Sequence, residues 1–479
     1  MGSGNLLRNS SIYILGSVTT ASISVFSLAL LARFLSVPEY GELSVLLQIA
    51  TLFAFIFGLE LSASVVIEYN LLGVNSDAYK KLIGSLFIFS FLFFFTSAII
   101  LLLALLSGVE PYPGINTKLA LVAILSGYFV SVINLGSGFL LISERAQSLS
   151  LFRIIRATSF FVFLIISFQI FDGGLLGAII AEASSTFLVA LSISVIIYNR
   201  FGLSFNLGQL KSSLRFCLPL TIHALGLWAL VASDRFVLEA YLGYEEVGIY
   251  SFGYAIAAFL VMITSGIDSA WSPIFLDVCE NNDNSSQIVG KFWTSYPAVI
   301  GVICLVFFTS SPVIVALLGG GEFDRSNDVI PLLVLSMYFH GLYLQFGKTL
   351  MMRKKSLLVA KITLFCALSN LAITIIMVPE MGIMGAALST AVSYLLLMSL
   401  CFHFSQKEEY MDVDILRIFF HSGKFCVALG IISYSFQVGM VEGMVSGIAI
   451  SSILAMLDKK ELHNLLSVQE DRGNDPTQT

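Results

Sequence analysis

Three acidic side chains, Glu60, Glu182 and Asp268, interrupt otherwise apolar runs of this 479-residue chain. An ionisable group in such a run costs about 3 kcal/mol on membrane-insertion scales, so it faces a cavity or a partner and is a functional candidate. Gly58 and Glu60 recur 208 residues later as Gly266 and Asp268, which places an acid at one depth in each half of the chain. Two carboxylates facing a cavity could bind hydroxyl groups or carry protons; the plainer alternative is that each accepts hydrogen bonds from neighbouring helices. Glu182 has no acidic counterpart, since the same offset gives Thr390. His223, one turn after Pro219, could titrate near neutral pH or serve as a buried, hydrogen-bonded histidine beside a helix kink.

The elements that carry these groups follow from composition. Apolar residues make up 57% of the chain and charged residues only 12%, and the mean hydropathy is +0.91. A globular domain carries about 25% charged residues, so a soluble protein is excluded. The net charge of −6 does not suit a nucleic-acid binder. Six scattered cysteines, Cys217, Cys279, Cys304, Cys366, Cys401 and Cys426, form no CxxC pair and read as small buried hydrophobes, giving no sign of a metal or disulfide. Neither a myristoylation signal nor a cleavable signal peptide is expected at the start.

Apolar runs fall near 10–33, 42–67, 82–106, 118–142, 154–171 and 174–197, then 216–238, 248–275, 292–317, 329–350, 357–378 and 382–404. Two weaker runs, 418–437 with Lys424 and 440–457, complete fourteen spans; twelve spans plus a membrane-associated hairpin is the fallback. Either even number puts both termini on one side. With the termini in the cytoplasm, all but four of the 25 basic residues face inward, the four being Arg33, Lys118, Arg235 and Arg325. Glu39, Glu110, Asp172, Glu245, Glu246, Glu322 and Glu380 then lie outside. The segment from Asp458 to Thr479 reads as a disordered cytoplasmic tail.

The chain is also duplicated. Phe34 to Ala50 overlays Tyr241 to Ala257 at an offset of 207, matching Glu39 with Glu246 and Gly41 with Gly248, and Arg8 meets Arg215. At 208, Arg145 meets Arg353 and Gly174-Leu175-Leu176-Gly177-Ala178 meets Gly382-Ile383-Met384-Gly385-Ala386. The expected organisation is a first six-helix lobe at 1–200, a linker at 201–214, a second lobe at 215–405, a helix pair at 406–457 and a tail at 458–479. Six is even, so the repeats run parallel, and a duplicated bundle with no outer domain reads as a carrier with its site between the halves.

Ala32-Arg33-Phe34-Leu35-Ser36-Val37-Pro38-Glu39-Tyr40-Gly41 resembles the first-loop signature of the polysaccharide-biosynthesis flippases. These are the Wzx-type O-antigen translocases of the multidrug/oligosaccharidyl-lipid/polysaccharide exporter superfamily. Phe216 to Leu220, Ser233 to Leu238, Gly248 to Tyr250 and Pro379 to Ala387 are similar too. The resemblance covers about residues 8 to 404. It implies an all-α, two-lobed membrane bundle that moves an undecaprenyl-diphosphate-linked oligosaccharide between leaflets of a bacterial inner membrane. It also implies coupling to protons or sodium without a bound cofactor, and a monomer working beside a polysaccharide polymerase and a chain-length regulator.

A diphosphate in a low-dielectric cavity needs a cation. Arg33 and Arg235, held on the minority side, are candidates; the alternatives are a headgroup contact for Arg33 and an ion pair with Asp234 for Arg235. Arg153 and Arg156, one turn apart at the start of span 5, could meet an entering substrate or act as topology anchors. Lys348 follows Gly341 to Gly347 in a pattern with five residues between glycines where a P-loop needs four, so nucleotide binding is rejected. Gly319-Gly320-Gly321 reads as a turn. A multidrug exporter, a membrane polymerase and a structural membrane subunit are the competing readings; the short outer loops disfavour the polymerase and the charge-bearing duplicated halves disfavour the subunit.

Overall fold

The computed structural model describes residues 3–73, 76–107, 116–142 and 146–470, so Glu110, Arg145 and Arg472 lie outside the described residues. The chain divides into two compact units, Met1–Phe236 and Val237–Thr479. The first holds α1 (Ser3–Phe34), α2 (Val37–Gly58), α3 (Leu61–Leu72), α4 (Asp77–Leu106), α5 (Thr117–Ile142), α6 (Ala146–Ile170) and α7 (Gly174–Phe201). Helix α8 (Leu207–Leu242) runs across the border. The second holds α9 (Tyr244–Ala257), α10 (Phe259–Asn281), α11 (Ser285–Gly319), α12 (Ile330–Phe346), α13 (Lys348–Met352), α14 (Ser356–Met381) and α15 (Ile383–Glu408). Then come α16 (Ile415–Val438), α17 (Met440–Leu457) and α18 (Lys459–Glu470). No strand occurs among the described residues, as expected where every backbone group must be satisfied within its own segment.

Thirteen segments among the described residues are long and apolar enough to cross a membrane, with α9–α10 and α12–α13 each forming one. The fourteenth expected span corresponds to α1, whose shorter described apolar stretch is Val18–Phe34. The two weak final runs are both helical, and the 18 residues of α17 extend about 27 Å, close to the hydrocarbon thickness. Phe91, Phe95, Ile99 and Leu103, spaced by four on α4, are all exposed, an apolar stripe suited to lipid.

The residues of the sequence signature set a helix start. Ser36 caps α2, Pro38 lies in its first turn, and the Glu39 carboxylate accepts hydrogen bonds from the Ser36 backbone N–H at 2.9 Å and hydroxyl at 2.8 Å. Helix α9 starts at the repeat position with Glu246 in its first turn, where the carboxylate accepts from Arg325 at 2.7 Å. That hydrogen bond, and then the carboxylate charge, holds the Arg325 guanidinium above its usual range. Gly174 and Gly382, also repeat partners, have φ of 46° and 61°, a left-handed backbone that favours glycine in both halves. The glycine run near 320 is a turn as well: Gly320 ends α11 in the left-handed region.

Two expectations from the sequence are revised. Of the supposed linker, residues 207–214 already belong to α8; Asn206 begins the helix by accepting from the Gln209 N–H at 3.1 Å. The supposed disordered tail forms α18 through Lys459–Glu470. Its anchor is Glu461, 8% exposed, which accepts from the Ser295 hydroxyl of α11 at 2.6 Å. Just before it, Asp458 takes Lys424 Nζ of α16 at 2.6 Å, so the charge that made span 13 doubtful is neutralised by a partner.

A polar cavity at a broken helix

Within the first unit, α2 stops at Gly58 and α3 begins at Leu61. Leu59 and Glu60 between them have φ of 42° and 50°. Two consecutive non-glycine residues in the left-handed region each cost about 1–3 kcal/mol, a strain that packing must hold in place. Helix α5 supplies that packing: a Cβ on Gly138 would meet the Ser62 carbonyl at 3.0 Å, so α3 and α5 are in close backbone approach. Below them, Leu61, Val65, Leu135 and Phe139 are among the apolar side chains of one core cluster shared with α4, α7 and α8.

The break opens a cavity of about 300 Å³ lined by α2, α3, α5 and α6. Glu60, Ser62, Asn134, Ser137 and Arg153 line it, and none of these five side chains is hydrogen-bonded or ion-paired with another described residue. Ser131, also on the wall, donates to the Tyr128 carbonyl at 2.7 Å. A carboxylate, an amide, two hydroxyls and a guanidinium can together donate to and accept from a multiply hydroxylated ligand. Arg153 sits early in α6 and Ser137 late in α5, so the cavity lies toward the end of the unit where α5 ends and α6 begins.

The other expected site residues are distributed differently. Arg156 does not share the cavity; its Nη2 meets Glu182 Oε1 of α7 at 2.7 Å. Glu182, 9% exposed, is thus a paired acid. Replacing it with Gln leaves the half-exposed Arg156 guanidinium without this acceptor, and we expect a modestly lower yield of monodisperse protein on gel filtration. Replacing both residues with Leu should recover most of that yield, because no charge is then left without its partner. Arg235, 4% exposed, bonds the Asp234 carboxylate at 3.0 Å and the Val231 carbonyl at 2.7 Å. Arg33 is exposed in the last turn of α1, where a cation suits the helix dipole. His223 departs from the hydrogen-bonded reading, since its enclosed Nδ1 has no partner among the described residues.

In the second unit Asp268 lies inside the continuous helix α10, not at a break. Its carboxylate meets Lys348 Nζ at 2.6 Å and accepts from Gln345 at 3.3 Å, while Lys348 also donates to the Ser272 hydroxyl. Glu60 and Asp268 share a register, yet of the two only Asp268 has a cation partner among the described residues. Sequence reasoning placed Lys348 with the cytoplasmic basic residues, and the position of Gly347 between α12 and α13 was the available sign that this run bends. A second group not foreseen surrounds His421, 6% exposed, whose ring nitrogens lie 3.5 Å from Asp458 and 3.8 Å from Glu461. Among the described residues, no cluster of three or more His, Cys, Asp or Glu could hold a metal ion. The described cysteines are all free.

Thirteen apolar spans among the described residues, with a polar cavity at the break between α2 and α3, define a multi-pass membrane protein. Its fold is that of the multidrug/oligosaccharidyl-lipid/polysaccharide exporters. The lipid II flippase MurJ in an inward closed conformation superposes with a TM-score of 0.70 at 16% identity, covering 93% of this chain and 98% of that one. An inward-facing multidrug resistance MATE transporter of that superfamily gives 0.63 at 15% identity, covering 85% and 99%. Residues 6–279 match the polysaccharide biosynthesis protein family, and the chain belongs to it. A curated relative, the probable low-salt glycan biosynthesis flippase Agl15 of Haloferax volcanii, is 24% identical over 168 residues, which is 34% of each chain.

Proposed function

We propose that the protein is a flippase for a lipid-linked oligosaccharide, a carrier and not an enzyme. The family membership, the flippase relative and the MurJ-like fold support this reading. The observation that carries it to this chain's own residues is the cavity at the α2–α3 break, where five polar side chains without partners among the described residues converge. The substrate is an undecaprenyl-diphosphate-linked repeat unit of O-antigen or a related surface polysaccharide. It passes from the cytoplasmic to the outer leaflet of a bacterial inner membrane by alternating access of the two repeated lobes. Both termini are cytoplasmic, and protons or sodium drive the cycle. A polymerase and a chain-length regulator use the product.

Inactivating the gene tests the reading. Full-length lipid-linked oligosaccharide should accumulate on the cytoplasmic leaflet, measured by its protection from an externally added glycosidase in intact spheroplasts. Unlinked single repeats accumulating on the outer leaflet would point to polymerisation instead, and unchanged glycolipids with increased drug sensitivity would point to a multidrug exporter.

A further inference from the structure

The cavity in the first unit carries one carboxylate and one guanidinium that do not pair with each other or with any other described residue. That combination narrows the ligand. A bare cation would be opposed by Arg153, and hard cations prefer a shell of oxygens. A diphosphate carries more negative charge than the single guanidinium can offset, and Glu60 opposes it, whereas one carboxylate at the far edge of a ligand can be matched by Arg153 alone. A ligand that is neutral overall, or that carries an acceptor group at one edge and hydroxyl donors at another, meets both side chains favourably. Asn134 adds a donor and an acceptor, and Ser62 and Ser137 add hydroxyls that can do either. Phe55 and Leu135 give apolar walls between these groups. A volume of about 300 Å³ stands at the lower end of small-molecule sites and suits one sugar ring.

We propose that this cavity holds a single sugar residue of the transported glycan, one that bears an acceptor substituent such as a carboxylate or an acetamido carbonyl. Glu60 and Asn134 take the ring hydroxyls, Ser137 supplies a further hydrogen bond, and Arg153 donates to the substituent. The inference rests on the flippase reading and deepens it, because it makes the cavity a filter for sugar identity and separates sugar recognition from lipid and phosphate recognition. Arg153 is a specificity residue in this arrangement: its fork of N–H donors rewards an acceptor and gives nothing extra to a plain hydroxyl. The strained backbone at Leu59 and Glu60 sets the carboxylate at the cavity wall, a position that an uninterrupted α2 would not give it.

The test uses the full-length protein in phospholipid nanodiscs and measures saturation-transfer NMR to the methyl glycosides of glucose, N-acetylglucosamine and glucuronic acid. For the native protein, transfer to the two substituted sugars should exceed that to glucose. Asn134→Leu should weaken binding of all three about tenfold, as expected for losing one or two hydrogen bonds to ring hydroxyls. Arg153→Met should remove the preference and leave glucose binding little changed, an effect that a merely structural arginine would not produce. Ser137→Ala, a milder change, gives a smaller uniform loss and guards against variants that fail to fold, as does gel filtration of each preparation. Absence of transfer to any of the three sugars overturns the proposal. So does stabilisation by sodium over choline that Asn134→Leu abolishes while sugar binding stays native, since that marks a cation site. Leaflet transfer intact in both Asn134→Leu and Arg153→Met, without a sugar signal, overturns this site and leaves the flippase reading standing. Sugar binding with the expected preference, but no leaflet transfer of any lipid-linked glycan, supports the site and sinks the flippase reading.

Discussion

Glu60→Gln is expected to reduce outward transfer of the lipid-linked glycan about ten- to a hundredfold, measured in reconstituted vesicles by the appearance of glycan accessible to an external lectin. That range corresponds to the loss of one hydrogen bond to a charged acceptor, about 1.5–3 kcal/mol. The substitution keeps the size and geometry of the side chain while removing its charge. Because no described cation pairs with Glu60, neutralising it strands no opposite charge, and thermal stability should be unchanged or slightly raised. The split between lost transfer and retained stability is the informative part. Equal loss of both would make Glu60 a packing residue at a strained turn, and native transfer across the pH range would remove it from the transport cycle. Glu60→Ala should be worse on both measures, since it also deletes the side chain that follows the break.

Glu60 was legible in the sequence as a candidate, a charge among apolar residues, but the backbone around it was not. The run from 42 to 67 reads as one span, and Gly58 is the sole punctuation near the point where the helix stops. Helix propensity cannot report a break that depends on α5 approaching α3 at Gly138, a contact between residues far apart in the chain. The same limit explains the arginines. Arg153 and Arg156 are one turn apart, alike in type and in local sequence, and only the neighbouring helices give one a cavity and the other Glu182. Helix starts were more readable, because a cap is a local device: Ser36 with Glu39 announces α2, and the repeat carries an acid into the first turn of α9. Helix α18 was missed for the opposite reason. Its residues are polar in composition, and the side chain that fixes it, Glu461, finds its partner on α11.

Asp234→Asn should give the largest loss of stability among conservative single substitutions. Asp234 and Arg235 are 1% and 4% exposed, and their carboxylate and guanidinium are 3.0 Å apart. Breaking a buried ion pair by removing one partner costs about 3–5 kcal/mol, whereas replacing both with apolar residues of similar volume is often neutral. The midpoint of thermal unfolding in detergent should therefore fall clearly for Asp234→Asn and for Arg235→Met. The double variant Asp234→Leu with Arg235→Met should return most of the loss. Transfer measurements on that double variant then separate the two roles open to Arg235. If it is stable and still moves glycolipid, the guanidinium serves the helix, as its bond to the Val231 carbonyl suggests. If it is stable but inactive, the charged pair serves the transport cycle as well as the helix. An anionic ligand taking the place of Asp234 beside Arg235 would keep the buried cation partnered, which costs less than exposing the charge unpaired.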